Sequence, residues 1–145
     1  MKKTFITKLS LVLALVTMLA LCSCDLFGGY EEPSDPWAFA VLTEDCELGE
    51  GSKTIQVELV VEEHNVTFTI HTDAETLGDA LAENLSIDGD EGQYGLYVTM
   101  INGIYVNYDL DGTYWGFFQN GEYLMTGVDT TPISGGEHFE IVYSK

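Results

Sequence analysis

The sequence predicts a two-layer α+β domain. Short runs in which apolar and polar residues alternate recur from Ile55 onward, the mark of half-buried strands. One segment switches to helical spacing. Two Asn-Gly pairs, Asn102-Gly103 and Asn120-Gly121, lie between apolar runs; such pairs favour the type I′ turns of β-hairpins because both central residues need φ > 0. One amphipathic helix laid on a sheet gives two layers around one core.

The elements follow in chain order. Lys2, Lys3 and Lys8 precede an apolar run from Leu11 to Cys22 that is short for a membrane span. Residues 1–23 are therefore expected to be a secretory signal. Leu21-Cys22-Ser23-Cys24 resembles a bacterial lipobox, which makes Cys24 the expected lipidated first residue of the mature chain. Residues 24–40, including DLFGGYEEPSDP, read as an acidic tether. The apolar stretch Trp37 to Leu42 is expected to pack on the domain as an edge strand or lead-in. Leu48 to Gly51 reads as a turn.

Ile55, Val57, Leu59 and Val61 alternate with polar residues, and Val66, Phe68 and Ile70 repeat the pattern, so the two runs form a hairpin. Thr72-Asp-Ala-Glu75 has the spacing of a capping box. Leu77, Ala80, Leu81 and Leu85 then line one helical face. Asp88 to Gly92 reads as an acidic loop. Leu96, Val98 and Met100 form a third strand that turns at Asn102-Gly103 into Ile104 to Val106. The aromatic hairpin TYWGFFQNGEYLM follows. Pro132 to Gly136 breaks the chain before a last strand through Phe139, Ile141 and Tyr143. The folded domain is expected to span residues 41–145.

Charge and cysteine usage narrow the function classes. The chain has 5 lysines, no arginine and 24 acidic residues, a formal charge of −19. Removing Lys2, Lys3 and Lys8 with the signal takes this to −22. Nucleic-acid binding rests on Lys and Arg neutralising phosphates, so it is excluded as an expectation. An anionic membrane repels such a body, and attachment is expected through the lipid alone. Once Cys22 is removed and Cys24 acylated, Cys46 stands alone, without a disulfide partner or a cysteine metal cage.

No serine elbow, Cys-His pairing or metal triad can be assembled from the motifs, and the expectation is a non-enzymatic protein. Asn107, Asp109, Asp111 and Gly112 match positions 1, 3, 5 and 6 of an EF-hand loop, but position 12 would be Phe118, which cannot close the cage. An acidic turn with Gly112 at positive φ is the expectation there. His64, His71 and His138 show no ligand spacing.

HTDAETLGDAL, YGLYVTMINGIYVNYDLDGTYWGFFQNGEYLMTGVD and the closing GGEHFEIVY resemble a bacterial family of uncharacterised secreted domains. That family is similar to the C-terminal β domain of the vitamin B12 carriers transcobalamin and intrinsic factor. The resemblance implies a ubiquitin-like β-grasp, a mixed sheet on one helix with extra hairpins. It implies a corrinoid, a cobalamin-like macrocycle, as ligand, with Trp115, Phe117, Asn120, Tyr123 and Met125 as the matching binding residues. The carriers clamp their ligand between this domain and a helical barrel, which this chain lacks. The expectation is a lipid-anchored, extracytoplasmic binding module. The alternative is a protein- or glycan-binding adhesion domain, since exposed rings serve those partners too. Aromatics on both faces of the hairpin mean either that two layers cover it or that one face is open to a ligand.

Overall fold

The computed structural model describes residues 34–145. The signal segment, Cys24 and the first part of the tether lie outside the described residues. The described residues form one compact unit.

The main sheet has six strands: β1 (Cys46–Gly49), β2 (Lys53–Val61), β3 (His64–Thr72), β7 (Tyr114–Gln119), β8 (Glu122–Tyr123) and β9 (His138–Ser144), in the order β1-β3-β2-β9-β7-β8. The β1–β3 and β2–β9 pairs are parallel and the others antiparallel. A second sheet contains β4 (Ile87–Gly92), β5 (Gly95–Ile101) and β6 (Ile104–Tyr105). Two helices, α1 (Leu77–Asn84) and α2 (Tyr108–Asp111), complete an α+β fold.

Register explains which rings go inside. Val57 lies opposite Phe68 and Phe139, and Leu59 opposite Val66 and Ile141. Ile141 lies opposite Phe117, and Tyr143 opposite Trp115. Residues opposite one another share a face, so Trp115 and Phe117 continue the apolar face that α1 covers further along. Tyr114, Gly116 and Phe118 take the outer face. There the Phe118 ring lies over Gly116, where a Cβ would meet it at 3.2 Å, and stands edge-on to Tyr123 at 5.2 Å. The hairpin is thus aromatic on both faces for different reasons: the inner rings join the core face, and Phe118 packs on its own ribbon.

Several expectations are corrected. Leu48–Gly51 is not simply a turn: Cys46 to Gly49 pairs with β3 as an edge strand. The helix is capped by Thr76, whose hydroxyl accepts from the Asp79 N–H, and not by Thr72. Thr72 is the last residue of β3, opposite Lys53, and its hydroxyl is engaged with Ala74 and Glu83. The acidic run after Ile87 is strand β4, held by its pairing with β5. Trp37 to Leu42 is a lead-in and not an edge strand. Pro36–Phe39 forms a 3₁₀ turn capped by Asp35, and Trp37 stacks on His64 at 4.9 Å.

Other expectations hold. Leu77, Ala80, Leu81 and Leu85 are all buried. Both Asn-Gly pairs have positive φ at both residues, and Gly112 is left-handed at the end of α2.

Gly78 lets α1 approach the 3₁₀ turn Val128–Thr130. A Cβ there would lie 2.9 Å from both the Cα and the backbone nitrogen of Asp129. Ala ordinarily favours a helix over Gly by about 1 kcal/mol. Here the overpacking is larger, and Gly78→Ala is expected to destabilise the domain by ~1–3 kcal/mol. Urea denaturation checks the sign.

Candidate functional site

The inner face of the main sheet is wider than its helix. Eight residues of α1 make a rod about 12 Å long. Six strands span roughly 24 Å. The helix packs over β1 and β3, leaving the β7 end to other elements. The 3₁₀ turn Val128–Thr130 bridges from α1 to β5, and β5 reaches β7. This cover is incomplete, and a groove of about 570 Å³ remains between β5, β7 and the chain after β8.

Trp115 and Val128 form its floor, buried at 5% and 2% exposure. Phe117, Tyr97, Tyr108 and Tyr123 stand around it. Phe117 is half-buried, and the three tyrosines are exposed. Tyr108 is braced edge-on by Tyr114 at 6.2 Å, and Trp115 by Tyr143 at 5.7 Å. The Trp115 Nε1–H is buried without an acceptor among the described residues. Such a donor is costly to leave unpaired, and it belongs to a residue that lines an open groove.

Electrostatics around the groove are anionic. Burial pushes the Tyr97 hydroxyl above its ordinary pKa, and the Asp109 carboxylate and Tyr108 push it the same way. Tyr97 therefore stays protonated as a hydrogen-bond donor well into alkaline pH. Asp129 sits behind the groove between Gly95 and Gly127, with Oδ1 buried and unpaired among the described residues.

Of the five residues expected to bind ligand, the groove brings together Trp115, Phe117 and Tyr123. Trp115 is its floor and not an open platform. Asn120 and Met125 are exposed and outside the groove wall. The Asn120 N–H donates to the His138 carbonyl in the turn. Sequence reasoning missed Tyr97 and Tyr108 as wall residues. Neither carried a sequence signal for this groove, because both lie outside the aromatic hairpin along the chain.

The remaining candidates do not converge. The Asn107 carboxamide oxygen caps α2, and Asp111 accepts from Thr113. The three histidines lie apart, each near a single carboxylate: His64 by Asp35, His71 by Glu47, His138 by Glu58. Among the described residues no three His, Cys, Asp or Glu side chains group to hold a metal ion.

Fold and groove together define an α+β domain with an aromatic cleft at the uncovered end of its main sheet. Residues 74–145 match the profile of a family described as a domain of unknown function, DUF4430. A crystal structure of a protein from Ruminococcus gnavus ATCC 29149, provisionally named as metal binding, is similar over 65% of this chain and 98% of that one, with 33% identity and a TM-score of 0.60. Haptocorrin in complex with Cbi is similar over 64% of this chain, with 23% identity and a TM-score of 0.49. The chain spans only 25% of haptocorrin's length. No curated protein matches it.

Proposed function

We propose that this chain is a non-enzymatic binding module, lipid-anchored through Cys24 on the outer side of a bacterial membrane, whose aromatic groove captures a macrocycle of the corrinoid type against its rings. The observation that carries the reading is the groove itself. Its floor is an indole with a buried, unpaired N–H, its walls are exposed or half-buried rings, and it lies where the sheet outruns its helix. Rings supply apolar area with little side-chain entropy to lose. The Tyr97 and Tyr123 hydroxyls supply polar contacts at the ligand's edge.

A β-grasp reading of the main sheet supports the same picture. The order β3-β2-β9-β7-β8 puts parallel β2 and β9 at the centre, with the helix following the β2–β3 hairpin. In that frame β7 lies toward the edge, beyond the reach of α1. A groove of this kind covers one side of such a ligand, and retention at the cell surface comes from the lipid anchor.

The test is fluorescence titration of the mature chain carrying Cys24→Ser and Trp37→Phe. Trp37 and Trp115 are the only tryptophans, so Trp115 becomes the sole indole reporter. Cobinamide, with absorbance corrected, is expected to quench it saturably. Phe117→Ala and Tyr123→Ala are each expected to weaken binding by at least about threefold. No saturable change at high micromolar cobinamide would remove the corrinoid and favour a protein or glycan partner for the same rings.

A further inference from the structure

A second recess adjoins the groove and has a different chemistry. It encloses about 630 Å³ on the three-stranded sheet, and its lining includes Asp90, Tyr97, Tyr105, Tyr108 and Asp109. Three elements assemble it. Asp90 on β4 lies opposite Tyr97 on β5. Strand β6 carries Tyr105. The Asn107 cap starts α2 so that Tyr108 and Asp109 form its first turn. The tyrosines are 48%, 68% and 62% exposed in that order. Such exposure of three rings around one concavity is unusual for side chains normally used for burial.

The charge of this recess is uncompensated. Beyond residue 8 the sequence holds only Lys53 and Lys145 as lysines and no arginine. The Lys53 ammonium donates to the Ala74 carbonyl, and Lys145 acts on Asp111. Every ion pair among the described residues uses a histidine, and none involves Asp90 or Asp109. The effect of Asp109 on the Tyr97 hydroxyl places that carboxylate's field across the recess.

Tyrosine rings attract a cation lying against their faces within about 6 Å. Carboxylates beside them add Coulomb attraction that a partly desolvated site strengthens. A hard metal ion would need six or more oxygen ligands for calcium, whereas this recess offers two carboxylates among rings. Rings and sparse carboxylates suit a cation that carries its own apolar surface. Tyr97 and Tyr108 also line the groove, so an apolar remainder has a continuous path into it.

We propose that this recess binds an organic cation of the alkylammonium class, its charge held by Asp90 and Asp109 and its alkyl groups packed against Tyr97, Tyr105 and Tyr108. The site is separate from the corrinoid reading and does not depend on it.

The experiment uses the full mature chain and compares choline with its uncharged isostere 3,3-dimethyl-1-butanol, by calorimetry and by NMR shifts of the tyrosine rings. Choline is expected to bind saturably and at least about tenfold more tightly than the isostere, and more weakly as salt rises. Asp109→Asn and Tyr105→Ala are each expected to cost ~3- to 10-fold in choline affinity. Their melting temperature should stay unchanged, because both side chains are exposed. Neither variant touches the groove wall, so cobinamide quenching serves as the independent control. Phosphatidylcholine vesicles run beside free choline separate a lipid headgroup from a free solute, and binding of either supports the assignment. Equal binding of choline and the isostere, binding of neither form of the cation, or variants that leave choline affinity unchanged would each overturn it.

Discussion

Trp115→Ala is expected to lower stability by about 3–5 kcal/mol, enough to unfold a large share of a domain this size near physiological temperature. The indole is 5% exposed and lies opposite Tyr143 on the inner face of the main sheet. The two rings meet edge-on at 5.7 Å and 77°. Truncation leaves a void that cannot collapse freely, because β7 is pinned to β9 along its whole length, from Tyr114 opposite Ser144 to Gln119 opposite Phe139. The melting temperature should fall on the order of 20 °C, readable by circular dichroism.

Trp115→Phe separates packing from the unpaired donor. It keeps most of the ring, and it removes an N–H that has no acceptor among the described residues. Its stability cost is expected to stay below about 2 kcal/mol. Ligand affinity should fall by more than that packing change explains if the indole N–H is a ligand contact. A Trp115→Ala protein that loses less than about 1 kcal/mol would show that the indole is not part of the core. The ring would then be the open platform that its burial argues against.

How much of this was legible in the sequence depended on whether side chains or backbone define an element. Strands β2, β3 and β9 alternate in burial along their length, and that alternation is written in the residues. Strand β4 is IDGDEG. Beyond Ile87 it has no apolar side chain, and it exists because its backbone pairs with β5. Strand β1 has two half-buried side chains in four residues, too short a stretch for a period to register. The helix start was ambiguous for a definite reason. Thr72 and Thr76 each stand three residues before an acid, and the first is taken by β3.

The site divides in the same way. Trp115, Phe117 and Tyr123 were legible because the aromatic hairpin is contiguous. Tyr97 and Tyr108 reach the groove from β5 and α2, and only tertiary placement brings them there. Asn120 fell outside because its turn caps the end of β7 next to His138, one residue past the last β7–β9 pair. Met125, 90% exposed, follows β8 as the chain leaves the hairpin.

The two Asn-Gly turns look alike in sequence and should differ sharply when mutated. Asn102→Ala is expected to cost about 3 kcal/mol and Asn120→Ala under about 1 kcal/mol. Both residues have φ near +50°, so the left-handed penalty for alanine, roughly 1 kcal/mol, is common to both. The difference lies in the side chain. Asn102 is 1% exposed, and its carboxamide accepts from the Leu42 N–H at 2.9 Å and donates to the Leu42 carbonyl at 2.8 Å. Its own N–H donates to Ser86, and its carbonyl accepts from Val41. One buried turn residue thus docks the lead-in onto the β5–β6 hairpin across 60 positions of sequence. Asn120 is exposed, and the only hydrogen bond found for it among the described residues outside regular pairing uses its backbone. Asn102→Gly divides the cost further. Glycine accepts the left-handed conformation freely, so the Ala-minus-Gly difference reads backbone strain, and what remains reads the two hydrogen bonds to Leu42. Trp37 stacks on His64 from within that lead-in, so Trp37 fluorescence should change in Asn102→Gly and stay constant in Asn120→Gly. Equal urea midpoints for the Asn102 and Asn120 variants would mean that the lead-in is held by its ring stacking and not by the buried carboxamide.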